Sequence, residues 1–453
     1  MTHAAVAAPP GPLADNRTRM RGLVAACAGN LVEWFDFFVY AYLAIYFAPA
    51  LFPSEDQTTQ LLSTAAIFAV GFLMRPLGGW LFGWLADTRG RKFSMMVSVF
   101  MMSTGSLLIA LIPTYAQIGV LAPIVLLTAR LVQGLSVGAE YGTGATYISE
   151  IATKGRRGFF GSFQYATIIA GQLCALGTII VLQNLLTEEQ LSTWGWRIPF
   201  FMGAVGAVVV VYLRRAMTET ASEKEMHSKE AGSIKGLLHH KRAALLVVMF
   251  TAGGSLWFYT FTTYMQKFLV VSGGFEKTTV STIMTCALIC FMLAQPLFGM
   301  LSDRIGVRTH MLIFTSLATL FAVPILFAIQ SATGPFQAFL LVLAGLMIAA
   351  FYTPISGLVK ADLFPPSIRA LGVGLPYAIG NAAFGGTAEY VALWMRSTGI
   401  ETSFFYYVAA LAFVASILLP NLKRHGYLEG DGRIEENVAP GLTKVLDPIA
   451  HRA

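Results

Sequence analysis

The chain has 453 residues, of which 56% are hydrophobic and 12% are charged, and its mean hydropathy is +0.65. Soluble domains carry about 25% charged residues, so this composition excludes a water-soluble globular fold and predicts that most of the chain faces lipid. The net charge of +7 would suit a nucleic-acid-binding protein, but the positions of the basic residues, described below, exclude that class.

Twelve apolar stretches are long enough to cross a membrane as helices, which takes about 20 residues each. In chain order they are residues 22–50, 60–86, 93–113, 118–149, 159–185, 197–213, 243–270, 278–301, 309–330, 335–359, 370–395 and 403–420. We therefore predict an all-α membrane protein with twelve transmembrane helices in two pseudo-symmetric six-helix bundles. The predicted order is an N-terminal tail, a first bundle, a linker loop, a second bundle and a C-terminal tail, at residues 1–21, 22–213, 214–242, 243–420 and 421–453.

The basic residues are distributed asymmetrically about these spans. Of the 31 lysines and arginines, 25 lie in the two tails and in the loops after spans 2, 4, 6, 8 and 10. Because cytoplasmic loops carry an excess of Lys and Arg, these segments are predicted to be cytoplasmic, with both termini inside the cell. The positive charge therefore indicates membrane orientation, and no nucleic-acid partner is expected.

A short motif occurs twice, 216 positions apart (Asp87 to Asp303), at the ends of spans 2 and 8. The first copy reads GWLADTRGRK from Gly83, and the second reads GMLSDRIGVR from Gly299. Since the offset is close to half the chain, the protein is predicted to be a duplicated unit. Transporters that work by alternating access are built from such repeats, with the solute held between them near the midplane.

Several ionisable side chains are predicted to lie inside the membrane, where each costs at least ~3 kcal/mol unless it is paired or faces water. Glu33, Asp36 and Tyr40 share one face of span 1, because they are three and four residues apart. Arg75 of span 2 and Arg130 of span 4 are predicted at a similar depth, near the midplane. We expect a charge network around a central cavity; the alternative is a set of structural salt bridges that fix helix register.

The same face of span 4 carries Gln133 and Glu140. A neighbouring guanidinium favours the ionised form of a carboxyl group, whereas an apolar cavity favours the neutral form. An anion that captures an arginine would therefore free a carboxylate to take up a proton, and Glu33, Asp36 and Glu140 are the candidate proton carriers.

In the second half, span 7 carries Tyr259 and Lys267 on one face, and span 11 carries Asn381. Lys267 is predicted near the outer end of its span. It either extends to the membrane surface or meets an entering anion.

No motif of an enzyme is present. There is no phosphate-binding Gly-x-x-x-x-Gly-Lys run, no Gly-x-Ser-x-Gly nucleophile elbow and no His-based metal motif. Four cysteines lie in apolar runs without metal spacing and are interpreted as packing residues: Cys27, Cys174, Cys286 and Cys290. We expect no enzymatic activity, no cofactor and no metal.

The two loop motifs, with the run RLVQGLSVG from Arg130, resemble the signatures of the major facilitator superfamily. The runs GNLVEWFDF from Gly29 and GFLMRPLGG from Gly71 resemble its metabolite:proton symporter family. Four further runs resemble the members of that family that carry α-ketoglutarate: residues 133–138, 261–267, 369–375 and 384–393. The resemblance covers roughly residues 17–425.

This resemblance implies proton-coupled uptake of α-ketoglutarate across a bacterial inner membrane by a monomer, with the dicarboxylate, protons and the lipid bilayer as its only partners. Arg75, Arg130 and Lys267 would bind the substrate carboxylates, since the guanidinium fork suits bidentate binding. The remaining substrate-binding candidates are Tyr40, Gln133, Gln164, Tyr259 and Asn381, of which all but Gln133 would orient the 2-oxo group. Open alternatives are symport of citrate, of a C4-dicarboxylate or of a zwitterionic osmolyte, and, from a different class, a non-transporting membrane sensor.

The resemblance also implies two gates on the cytoplasmic side. In the first gate, Asp87 and Arg91 would act with Glu150 and Arg156. The second gate would use Asp303 and Arg308 with Asp362 and Arg369. Such pairs form only when that side is shut, so they bias one state of a rocking equilibrium.

Overall fold

The computed structural model describes residues 16–52, 63–64, 66–67, 70–153, 155–215, 217–221, 226 and 232–419. Within them the chain forms twelve long helical elements, named α1 to α12 here. The first six are α1 Asn16–Leu51, α2 Arg75–Arg89, α3 Arg91–Leu111, α4 Leu121–Ile151, α5 Arg157–Leu185 and α6 Arg197–Arg215. The second six are α7 Lys241–Tyr259 with its continuations to Val271, α8 Lys277–Ile305, α9 Val307–Gln330, α10 Pro335–Ala349 with Thr353–Asp362, α11 Arg369–Gly380 with its continuations to Ser397, and α12 Glu401–Leu418.

These elements confirm the predicted all-α architecture. Ten of them are long and apolar enough, over the described residues, to cross a membrane. The other two are α2, whose predicted span lies partly outside the described residues, and α11, which is interrupted. α1 begins at Asn16, inside the segment predicted as a tail, while residues 1–15 and 421–453 of the two predicted tails lie outside the described residues.

α1–α6 form the first bundle and α7–α12 the second. The bundles meet where α2, α4 and α5 face α8, α10 and α11. Glycines allow the backbones to approach closely there. A Cβ at Gly142 of α4 would lie 2.5 Å from Gly374 Cα of α11, and one at Gly158 of α5 would lie 2.4 Å from Gly299 O of α8. Small residues at helix crossings are how membrane helices pack tightly.

The two sequence motifs form equivalent turns at one end of the molecule, called the motif end here. Gly90 separates α2 from α3 with φ of 100°, and Gly306 separates α8 from α9 with φ of 86°. Non-glycine residues are strained at such angles. The repeated glycine of the motif therefore permits the same sharp turn in both bundles.

Two spans of the second bundle contain π-helical turns. Thr260–Tyr264 interrupts α7, and Asn381–Gly385 interrupts α11. Single π-helical turns inside α-helices are frequent at functional sites, because they leave backbone and side-chain groups out of the regular pattern.

Candidate functional site

Arg75 lies in an aromatic cage at the start of α2. Its guanidinium carbon is 3.8 Å from the ring centroid of Phe72, 4.8 Å from that of Phe37 and 5.6 Å from that of Trp34. The residue is 3% exposed, and its Nη2 has no hydrogen-bond partner. Because the ring faces stabilise the cation without using its N–H donors, part of the guanidinium fork remains available to a planar anion.

A small cavity lies beside Arg75, between the two bundles. Its lining consists of Trp34, Arg75, Val137, Gly138, Tyr141, Tyr377 and Ala378. Tyr377 and Ala378 belong to α11, and the others belong to the first bundle. An occupant of this cavity would touch both bundles and a buried cation, as expected of a solute held at a repeat interface.

Arg130 is connected to Asp36 by three consecutive hydrogen bonds. Arg130 Nη1 donates to Gln133 Oε1 (2.8 Å), Gln133 Nε2 donates to Ser106 Oγ (2.9 Å), and Ser106 donates to Asp36 Oδ2 (2.5 Å). All four residues are at most 2% exposed. Two neutral side chains, Gln133 and Ser106, thus connect Arg130 to Asp36.

The surroundings of Asp36 are inside the first bundle. A Cβ at Gly203 of α6 would overlap its Oδ1, and that oxygen has no hydrogen-bond partner. Asp36 is therefore packed between α3 and α6, and hydrogen bonds through Ser106 and Gln133 connect it to Arg130.

The other candidates on α1 and α4 have different neighbours. Glu33 is 4% exposed and accepts a hydrogen bond from Ser136 (3.3 Å). Tyr40 donates to the carbonyl of Thr64 (3.0 Å), and its ring centroid is 4.2 Å from the Arg130 guanidinium. Glu140 belongs to α4, but its side chain lies outside the described part of the structure.

Asn381 and Tyr259 are brought together at the π-helical turn of α11. Asn381 is 1% exposed, and neither atom of its amide has a hydrogen-bond partner. A Cβ at Gly385 would lie 2.8 Å from both Asn381 Oδ1 and the Tyr259 ring. The Tyr259 ring is 6.5 Å from that of Phe72, between centroids. These contacts place a buried amide without a partner near the aromatic cage of Arg75.

Gln164 and Lys267 lie in separate environments. Gln164 is buried in α5 and donates to the carbonyl of Tyr141 (3.3 Å), a residue that lines the cavity. Lys267 forms an ion pair with Glu389 of α11 inside the second bundle, and its side chain is 54% exposed. Lys267 is therefore not one of the buried cations beside the cavity.

At the motif end, each motif aspartate caps a helix of the opposite bundle. Asp87 accepts hydrogen bonds from the N–H groups of the second and third residues of α11 (3.2 and 3.0 Å). Asp303 accepts from the N–H groups of the second and third residues of α5 (2.7 and 3.0 Å). A carboxylate is stabilised at a helix N-terminus by the free N–H groups and by the helix dipole, so these bonds hold the bundles together at this end.

Ion pairs reinforce the Asp87 contact. Arg91 lies 3.3 Å from Asp87 and 3.4 Å from Glu150, and Arg369 of the second bundle lies 3.3 Å from the same Glu150 oxygen. The linker adds a further contact, because Thr220 donates to the other Glu150 oxygen (2.5 Å).

The second gate differs from its predicted composition. Asp362 pairs with Arg157 of the first bundle through two hydrogen bonds (2.8 and 3.1 Å). Arg156 is exposed, and neither it nor Arg308 forms an ion pair within the described residues. Arg156 is expected in the first gate, but it precedes α5, which starts at Arg157. Arg369 is expected in the second gate, but it pairs with Glu150 beside the first.

Sequence patterning did not identify Ser106 or Lys360. Nothing in the sequence distinguishes Ser106 from any other serine in an apolar span. Lys360 follows predicted span 10 by one residue, in a loop predicted to be cytoplasmic. Its spacing of four and eight residues from Ser356 and Tyr352 would have placed it on their helix face.

A two-bundle membrane fold with a buried cationic cavity between pseudo-symmetric halves defines a secondary transporter. Residues 22–222 match the family model "Sugar (and other) transporter", and residues 269–440 match the model "Major Facilitator Superfamily". The chain belongs to the major facilitator superfamily, and it is a multi-pass membrane transporter of a small molecule rather than an enzyme.

The chain is 58% identical to the α-ketoglutarate permease of Escherichia coli K12, over 91% of this chain and 95% of the permease. It is 32% identical to the inner membrane metabolite transport protein YhjE of the same organism, over 90% and 95% of the two chains. It is 31% identical to the proline/betaine transporter of Salmonella typhimurium, over 89% and 83%. The solved structure of the proton:xylose symporter XylE bound to 6-bromo-6-deoxy-D-glucose superposes with a TM-score of 0.73 at 16% identity, over 89% and 96% of the chains, which shows the shared fold.

Proposed function

We propose that this chain is a proton-coupled symporter that takes up α-ketoglutarate across the bacterial inner membrane as a monomer. The observation that carries the proposal is Arg75, a buried arginine beside the bundle interface whose Nη2 has no hydrogen-bond partner. A dicarboxylate supplies the negative charge that the buried Arg75 guanidinium lacks. The identity to the α-ketoglutarate permease supports that substrate over citrate or a C4-dicarboxylate.

The site also favours a dianion over a zwitterion. Arg75 and Arg130 both lie within 6 Å of the Phe37 ring centroid, at 4.8 and 5.7 Å. Arg75 pairs with no carboxylate in the described part of the chain. Two like charges gathered in a low-dielectric region are stabilised by an anion between them. In this mechanism Asn381 and Tyr259 orient the 2-oxo group.

Proton coupling runs through the hydrogen-bonded chain from Arg130 to Asp36. A substrate carboxylate that binds Arg130 competes with Gln133 for the guanidinium donors. Once Gln133 is released from Arg130, its side chain reorients, and the Ser106 hydroxyl follows. The Asp36 carboxylate then loses or regains the hydrogen bond that Ser106 donates. The substrate and the proton are thereby linked without direct contact. Glu33 and Glu140 stay the alternative proton carriers.

The motif end is the cytoplasmic end in this proposal, and both termini are cytoplasmic. The basic loops support this orientation. The contacts of Asp87 and Asp303 then close the cytoplasmic side, and substrate enters from the opposite face. Opening toward the cytoplasm requires these carboxylates to leave the two helix termini.

Uptake of labelled α-ketoglutarate into proteoliposomes tests the proposal. Purified protein should accumulate the label when an inward proton gradient is imposed, and a protonophore should abolish the accumulation. Unlabelled α-ketoglutarate should compete better than citrate, succinate or betaine. Exchange that does not depend on the proton gradient would contradict symport. Binding without transport would favour a sensor. Stronger competition by another solute would mean that this solute is the substrate.

The gate gives a separate prediction. Asp87→Asn should weaken closure of the cytoplasmic end, because the neutral amide loses the charge–dipole attraction of about 1–2 kcal/mol at the start of α11. Hydrogen exchange in nanodiscs should then speed up at Ala370 and Leu371. It should also speed up at Gly158 and Phe159, which Asp303 caps, because a rigid bundle opens both gates together.

The matched control for this gate is Glu189→Gln. It removes an exposed carboxylate at the opposite end of the molecule and should leave exchange unchanged. Faster exchange confined to Ala370 and Leu371 would mean that Asp87 acts only locally and would contradict its role as a gate.

A further inference from the structure

Lys360 is a buried cation at the bundle interface, toward the motif end of α10. It is 1% exposed. Its Nζ donates to Tyr141 Oη of the first bundle (3.0 Å) and to Ser356 Oγ of its own helix (2.8 Å). No carboxylate pairs with it among the side chains that the structure describes. An ammonium group has three donors, so one of them is left for another partner.

Aromatic rings surround the Lys360 ammonium. Its Nζ is 4.6 Å from the ring centroid of Tyr377, 4.9 Å from that of Tyr141 and 5.4 Å from that of Tyr352. These rings and the two hydroxyl groups stabilise the cation only in part, because a buried charge normally also requires an opposite charge. An anion bound beside the Lys360 ammonium would therefore supply the opposite charge that it lacks.

Tyr141 and Tyr377 separate Lys360 from the Arg75 cavity. The two rings stack across the bundle interface with centroids 3.4 Å apart and an interplanar angle of 9°. Both residues line the cavity beside Arg75, and both contact Lys360. Since one ring belongs to each bundle, separation of the bundles at the motif end must part this stack and join the two sites.

We propose that Lys360 forms a second carboxylate-binding site, which the substrate occupies after the Tyr141–Tyr377 stack opens toward the cytoplasm. This inference rests on the proposed function. Arg75 binds the dicarboxylate in the state closed at the motif end. Lys360 then exchanges its bond to Tyr141 for a bond to a substrate carboxylate. Lys360 therefore sets the affinity of the cytoplasm-facing state, while Arg75 sets that of the opposite state.

The test compares affinity at the two faces of the membrane. Exchange of labelled α-ketoglutarate is measured in right-side-out and in everted vesicles that contain the full chain. Lys360→Gln should raise KM at the cytoplasmic face at least about tenfold, because a charge-assisted hydrogen bond is lost. KM at the external face should change less than about twofold, and Lys360→Arg should retain most of the affinity.

Lys241→Gln is the matched control, since Lys241 is an exposed lysine at the same end of the molecule, and both KM values should stay unchanged. Equal increases in KM at both faces would assign Lys360 a packing role and overturn the inference, as would no change at either face. Wild-type vesicles that fail to exchange α-ketoglutarate would instead refute the proposed function itself.

Chemical rescue covers the case in which Lys360→Gln does not reach the membrane. Lys360→Cys, treated from the cytoplasmic face with 2-aminoethyl methanethiosulfonate, regains an ammonium group and should recover cytoplasmic affinity. Methyl methanethiosulfonate adds no charge and should not restore it. Substrate at that face should slow the modification. Equal recovery with both reagents, or no protection by substrate, would overturn the inference.

Discussion

Arg75→Met should lower the affinity for α-ketoglutarate by about 30-fold or more, because removing one partner of a buried charge pair costs about 2–5 kcal/mol. The aromatic cage of Trp34, Phe37 and Phe72 can accommodate the apolar methionine side chain. The variant should therefore fold and insert normally. Binding of labelled α-ketoglutarate to purified protein, measured by equilibrium dialysis, gives the affinity directly.

Arg75→Lys refines this prediction. A lysine keeps the positive charge but loses the planar fork, so it can no longer hold a carboxylate through two parallel bonds. The transport KM should rise about tenfold, between the wild type and Arg75→Met. This ordering separates a requirement for charge from a requirement for guanidinium geometry.

Arg197→Met provides the matched control. Arg197 is also an arginine over an aromatic ring, 4.1 Å from the Trp196 centroid, but it is the first residue of α6 and donates to the carbonyl of Ile112. Its replacement should leave substrate affinity unchanged. If Arg75→Met and Arg197→Met reduced affinity equally, or if neither did, Arg75 would not belong to the substrate site.

The sequence predicts the depth of Arg75 in the membrane, because the loop motif fixes where span 2 ends. Arg75 lies twelve residues before Asp87, and helical rise converts that spacing into a depth near the midplane. The motif repeat likewise predicted that Asp87 and Asp303 occupy equivalent positions. Their partners, the N-termini of α11 and α5, belong to the opposite bundle, so they depend on tertiary packing that no local pattern encodes.

The sequence could not place Asp36 relative to Arg130. Spacing along α1 fixes which face of that helix carries Asp36, but the rotation of α3 decides whether Ser106 stands between the two charges. Lys360 was missed for a related reason. A lysine at a predicted span boundary is usually solvated, whereas the rings of Tyr141, Tyr352 and Tyr377 enclose Lys360 here.

Asp36→Asn should abolish proton-driven accumulation while α-ketoglutarate exchange continues. Asparagine has the shape of a protonated aspartic acid but cannot release a proton, so the loaded transporter can still cycle between its two states. Net uptake is lost, because it requires a residue that releases the proton after transport. Steady-state accumulation and counterflow, measured in the same proteoliposomes, separate these two activities.

Ser106→Ala tests the hydrogen-bonded chain itself. It removes the donor to Asp36 and the acceptor for Gln133 without changing either charge. We expect reduced accumulation with exchange intact, a weaker form of the Asp36→Asn result. Full accumulation in Ser106→Ala would show that the proton and the substrate are coupled by another route.

Glu33→Gln distinguishes the competing proton carrier. Glu33 lies on the same helix as Asp36 and is similarly buried. It accepts a hydrogen bond from Ser136, whereas Asp36 accepts one from Ser106 of the chain that leads to Arg130. Its substitution should preserve accumulation. If Glu33→Gln lost accumulation and Asp36→Asn retained it, the proton would travel through Glu33. The link from Arg130 through Gln133 and Ser106 would then only stabilise the first bundle.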